Sequence, residues 1–128
     1  SNPVAGLRVG VLFDELEQAD PEVQTAVSNA VQVLQGLGCT MGEAELPTAP
    51  YSLGAAYAIL SPEAMAYHDP LLRQRGADYP VDVRRRLLAG RFVSATGYVN
   101  GQRARQLIRR EVNAALEEAD CLLLPTLP

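Results

Sequence analysis

The sequence predicts an α/β fold with elements in the order β-α-β-α-α-α-β, and three observations carry the prediction. A strand-helix-strand pattern opens the chain, helical periodicity dominates its middle, and an unbroken apolar run, Cys121-Leu122-Leu123-Leu124-Pro125, closes it. With 128 residues, 48% of them apolar, the chain is long enough for one ordinary domain, so a single unit over residues 1–128 is expected.

Gly6-Leu7-Arg8-Val9-Gly10-Val11-Leu12-Phe13 is β-branched and apolar and ends in Asp14-Glu15, as a strand does when it leaves a core for a turn. Asp20-Pro21-Glu22 supplies an N-cap, a first-turn proline and an early acid. Val23, Val27, Ala30, Val31 and Leu34 then follow at helical spacing. Gly36-Leu37-Gly38 stops that helix, and 39–46 reads as a second strand closed by Pro47. Strand, helix and strand together suggest one right-handed crossover unit.

Residues 51–67 hold Ala, Leu, Ile, Met and Tyr with few charges, which predicts a largely buried helix, kinked near Ser61-Pro62. Asp69-Pro70 and Gly76-Ala77-Asp78-Tyr79-Pro80 read as breakers. A short helix is expected over 81–90, ending or bending at Gly90. A long helix over 94–119 then carries an apolar stripe and an arginine-rich outer face, with Asp120 terminating it. The final apolar run does not alternate, so it is expected to be a central strand covered on both faces.

Composition excludes several functions. A net charge of -4 and the absence of a long apolar stretch give no expectation of nucleic-acid or membrane partners. A cytoplasmic location is expected, and Ser1-Asn2 resembles a tag or processing remnant. Cys39 and Cys121 are expected to be two buried free thiols. All eleven basic residues are arginine, so no mechanism needing a lysine can run on these residues.

No serine lies in a Gly-x-Ser-x-Gly frame. His68 is the only histidine and is expected at the surface or as a cap. The glycines around Cys39 mark a helix stop and not a dinucleotide fingerprint. Asp14, Glu15 and Glu17 read as a solvated turn. Arg84-Arg85-Arg86 points in three directions on a helix and reads as a solvated face, with an anion or partner surface as the alternative. No metal or cofactor is expected.

The order of the segments adds a resemblance. Gly6-Leu7-Arg8-Val9-Gly10-Val11, Asp20-Pro21-Glu22-Val23, Leu46-Pro47, Ser61-Pro62-Glu63-Ala64, Val83 to Gly90, Tyr98, Gln102-Arg103-Ala104-Arg105, Ile108-Arg109-Arg110 and the closing 120–128 occur in sequence. Nearly the whole chain thereby resembles the part of amidase signature enzymes that lies downstream of their catalytic core. That resemblance implies a partial α/β/α mixed-sheet architecture and an activity of amide C–N hydrolysis through serine, cis-serine and lysine.

Neither the lysine nor the Gly-Gly-Ser-Ser stretch of that family is present, so the chain is expected to be an inactive portion of a larger amidase. A permanently charged arginine cannot stand in for a lysine base. Its parent would act on a small-molecule amide, with Tyr67, His68 and Thr126 expected to line the substrate pocket. Pro70 and Leu71 fall where the tRNA-dependent amidotransferase branch carries Arg-Tyr-Asp-Gly. This favours a general amidase or a hydrolase of ureas such as allophanate. Exposed sheet edges would offer a route to a homodimer. The rival expectation is a free-standing, non-catalytic binding or regulatory module; an unrelated anion-binding domain, with contacts at 14–18 or 124–128, ranks last.

Overall fold

The computed structural model describes residues 3–126, apart from the side chain of Glu15. They form two compact units, a sheet unit (3–47 and 110–126) and a helical unit (48–109).

In the sheet unit, β1 (Arg8–Val11) leads into a one-turn helix α1 (Phe13–Glu17) and then α2 (Pro21–Gly36). Four of the five residues of the predicted stripe, Val23, Val27, Val31 and Leu34, are half-buried, whereas Ala30 is exposed with the other face of α2. Pro21 occupies the first turn, where its missing N–H costs nothing, although the Asp20 side chain makes no capping bond. The helix ends as the glycines predict. Gly38 takes φ +93°, its N–H reaches Gln35 O at 2.9 Å, and Cys39 N–H reaches Leu34 O at 3.0 Å, the paired bonds of a Schellman motif.

β2 (Thr40–Glu43) follows, and β3 (Cys121–Leu123) comes from the far end of the chain. The strand order is β2-β1-β3, with both pairings parallel and Val9 opposite Met41 and Cys121. The α/β expectation holds, with α2 as the crossover that a parallel pair requires.

The position of β3 corrects the sequence reading. Its apolar run predicts a strand flanked on both sides, yet β3 is an edge strand here: Cys121 is exposed and Leu122 and Leu123 are only half-buried. The central strand is β1, with Val9 3% and Val11 0% exposed. Hydrophobicity reports what a segment tolerates on its faces, but it does not say which neighbours are at hand. Cys121 therefore departs from the expected buried thiol; Cys39 is buried, and both are free.

The helical unit begins with a 3₁₀ turn (Ala49–Tyr51) and α3 (Ser52–Arg75). α3 runs on through Pro62, where a kink was expected, and unbroken through Pro70, where a breaker was expected. An interior proline costs about 3 kcal/mol. Packing against α4 (Val81–Ala89) and the 3₁₀ turn Gly90–Phe92 offsets it here, and Arg73 and Arg91 both bond Asp69, the residue before Pro70. α3 is also far less buried than its composition predicts. Only Ala55 and Met65 are buried, and Leu53, Tyr57, Leu60 and Tyr67 are exposed. Its apolar residues encircle the helix, so the neighbours in this unit cover one side only.

Two glycines set how closely the helices meet. A Cβ on Gly90 would overlap the carbonyl of Ser61. Gly101, near the start of α5 (Ala95–Glu118), lies where a Cβ would stand 3.0 Å from that of Ala58.

Candidate functional site

α3 places Tyr67 and His68 side by side. His68 was expected at the surface or as a cap; it is half-buried in mid-helix, and its Nδ1 is hydrogen-bonded to Tyr79 Oη at 2.9 Å. Both tyrosine rings meet the imidazole edge-on, Tyr67 at 5.0 Å between centroids and Tyr79 at 5.7 Å. Tyr67 itself is 82% exposed, so its ring shields one side of the histidine and presents its own outer face to solvent. Tyr79 went unnoticed in the sequence because it sits inside a breaker segment, eleven residues beyond His68. Thr126 lies in the sheet unit, exposed in the bend after β3. Leu127 and Pro128, which complete its proline-bounded run, lie outside the described residues.

Several of the residues that carried the resemblance prove to be partners. Tyr98 Oη donates to Glu63 Oε1 at 2.7 Å, and Gln102 Nε2 donates to Tyr98 Oη at 3.0 Å. Arg8 and Asp120, 112 residues apart, clamp β1 to the turn before β3. The Arg8 backbone N–H and its Nε and Nη2 all donate to the Asp120 carboxylate, while Asp120 N–H returns a bond to Arg8 O at 2.8 Å. A planar guanidinium matches a carboxylate at two points at once, which fixes orientation as well as charge.

The hydrogen bonds from Arg8 hold the Asp120 carboxyl below the usual carboxylate range, and in return raise the guanidinium of Arg8 above its own. Hydrogen bonds from Arg91, then Arg73, likewise lower Asp69. A depressed carboxyl stabilises the fold above its unfolded value, and that stabilisation is lost as pH falls through the folded value. Urea midpoints should therefore drop below about pH 4. Asp120→Asn should flatten part of that drop, and an unchanged profile would show that the clamp contributes nothing.

Catalytic chemistry is sparse. His68 pairs with a tyrosine and not with a serine or cysteine, Ser94 Oγ caps the amide of Gly97 at 3.0 Å, and Cys39 is buried with Sγ 3.4 Å from Val4 O. Among the described residues no group of three His, Cys, Asp or Glu side chains is arranged to hold a metal ion. Asp14 and Glu17 lie on α1 instead of in a turn, and the Asp14 side chain is exposed. In the described residues no helix is long and apolar enough to cross a membrane. A cleft of about 500 Å³ belongs to the sheet unit and is lined by small residues, Gly10, Gly42, Ala115 and Ala119, beside Glu43 and Glu111.

The Amidase family model matches residues 1–128. An amidase from Pseudomonas putida is 41% identical over 129 residues, covering 98% of this chain and 27% of that protein. A glutamyl-tRNA(Gln) amidotransferase subunit from Roseiflexus sp. (strain RS-1) is 34% identical over 149 residues, covering 98% of this chain and 31% of that protein. A crystal structure of amidase superposes with a TM-score of 0.85 at 28% identity, over 97% of this chain and 29% of that one. The chain thus spans less than a third of these relatives, and over that span sequence and fold agree: it belongs to the amidase family.

Proposed function

We propose that this chain is a portion of an amide C–N hydrolase that supplies sheet, helices and part of the substrate cleft, and that it cannot hydrolyse an amide by itself. The observation that carries this reading is a family match along the entire chain that covers only 27% and 31% of two relatives. Two features support it. These 128 residues contain no lysine to act as base. The continuous apolar strand β3 and the apolar circumference of α3 both suit surfaces that a larger protein would cover.

In the complete enzyme Tyr67, His68 and Thr126 would line the pocket of a small-molecule amide, the imidazole being oriented by Tyr79. The reaction, in the cytoplasm, would need no metal or cofactor, and the serine nucleophile, cis-serine and lysine would come from other residues of the enzyme.

The purified chain should show no release of ammonia or amine from aliphatic amides, aryl amides or allophanate above the buffer rate. Peptides from 81–120 should identify a native product several times longer in source cells. Turnover by the chain alone would overturn the reading. So would a native product of about this length, which would instead make it a free-standing module.

A further inference from the structure

Three arginines from three separate elements line one cleft of the helical unit. Arg73 comes from the last turns of α3, Arg84 from α4, and Arg91 from the 3₁₀ turn Gly90–Phe92. The cleft encloses about 380 Å³ and also borders Gly76 and Leu88. Asp69 accepts from Arg73 Nε and from Arg91 Nη2, both at 2.7 Å, so one carboxylate serves two arginines. Arg84 has only a long contact, 3.4 Å from Nη1 to the carbonyl of Gly76. Asp78, the next acid along the chain, pairs with Arg75. Among the described residues, the three arginines have one paired carboxylate between them, Asp69.

Arg84 is half-buried, whereas Arg85 and Arg86 are exposed. That difference separates it from the solvated face that three consecutive arginines suggest. Arg73 and Arg91 keep 73% and 48% of their side chains exposed and share Asp69, so solvent screens part of the repulsion among the three arginines, and an anion seated between them would relieve the rest.

We propose that Arg73, Arg84 and Arg91 form a binding site for the phosphate group of a small molecule. A phosphate monoester carries close to two negative charges at neutral pH and offers three acceptor oxygens, which match the charge excess and the forked donors. Because the chain as a whole is negative, an extended polyanion would be repelled beyond the cleft, so the ligand is one phosphate group and not a nucleic acid. The site is independent of the amidase reading, since it uses none of the residues assigned to the substrate pocket.

Titration of the full chain with inorganic phosphate at low ionic strength, followed by calorimetry, tests the site. Saturable binding to one site is expected. Arg84→Ala should weaken it about tenfold or more, the loss of a charged hydrogen bond. Arg85→Ala, which removes the same charge from the neighbouring exposed position, should change it less than about twofold if the site and not the net charge binds. Amide shifts on ¹⁵N-labelled wild-type chain give a readout that needs no variant, and should centre on Gly76, Ala77, Arg84 and Arg91. Equal weakening by the two variants, shifts centred elsewhere, or no saturable binding would each overturn the proposal.

Discussion

Gly90→Ala is expected to destabilise the helical unit by about 3 kcal/mol, the upper range for over-packing a filled space. The added methyl would overlap the Ser61 carbonyl oxygen and stand 2.6 Å from its carbon and 2.8 Å from Met65 Cβ. Two of those atoms are backbone in the middle of α3, so no side chain can swing aside, and the turn after α4 would have to lift off α3 as a whole. Gly36→Ala provides the contrast, because nothing lies within 4 Å of its added Cβ. There the only effect is better helix propensity and a less flexible unfolded chain, a gain of about 0.5 kcal/mol. Urea unfolding of both variants checks the pair. Equal and small effects would mean that the contact between Gly90 and Ser61 relaxes at little cost.

Val11→Asp should cost about 4 kcal/mol at neutral pH, the scale of an uncompensated buried charge. Val11 is fully buried in the central strand, where β2 and β3 pair on either side. Desolvation would push the introduced carboxyl above its ordinary range, so its charged form is the one the fold rejects. The damage should accordingly ease as pH is lowered towards that raised value and be fullest above it. Val11→Ala leaves a cavity and no charge, and should cost about 2 kcal/mol at every pH. Parallel pH profiles for the two variants would show that water reaches the site and that β1 is not the dry centre of the sheet unit.

Both effects arise from close approach, and close approach is what the sequence conceals. Local rules located the elements well where local forces decide them. Pro21 and Gly38 bound α2 by φ alone, and the stripe Val23, Val27, Val31 and Leu34 lies on its half-buried side. The same rules misjudged Asp69-Pro70, because the price of a proline in α3 is offset by packing and by two arginines. Of the candidate site, Tyr67 and His68 were legible as adjacent residues in a helical stretch. Their partner Tyr79 was not, since its bond to His68 depends on how the chain folds back after Arg75.

The sequence by itself determined the α/β class, the succession of strands and longer helices though not the one-turn α1, the family resemblance and the absence of a lysine base, all of which rest on residue identity and short-range periodicity. Tertiary structure alone decided which strand is central, that Arg8 meets Asp120 across 112 residues, and that Arg84 turns inward beside Arg73 and Arg91 while Arg85 does not. Those outcomes depend on contacts between distant segments. Periodicity constrains which face of an element is apolar, and leaves open what will stand against it.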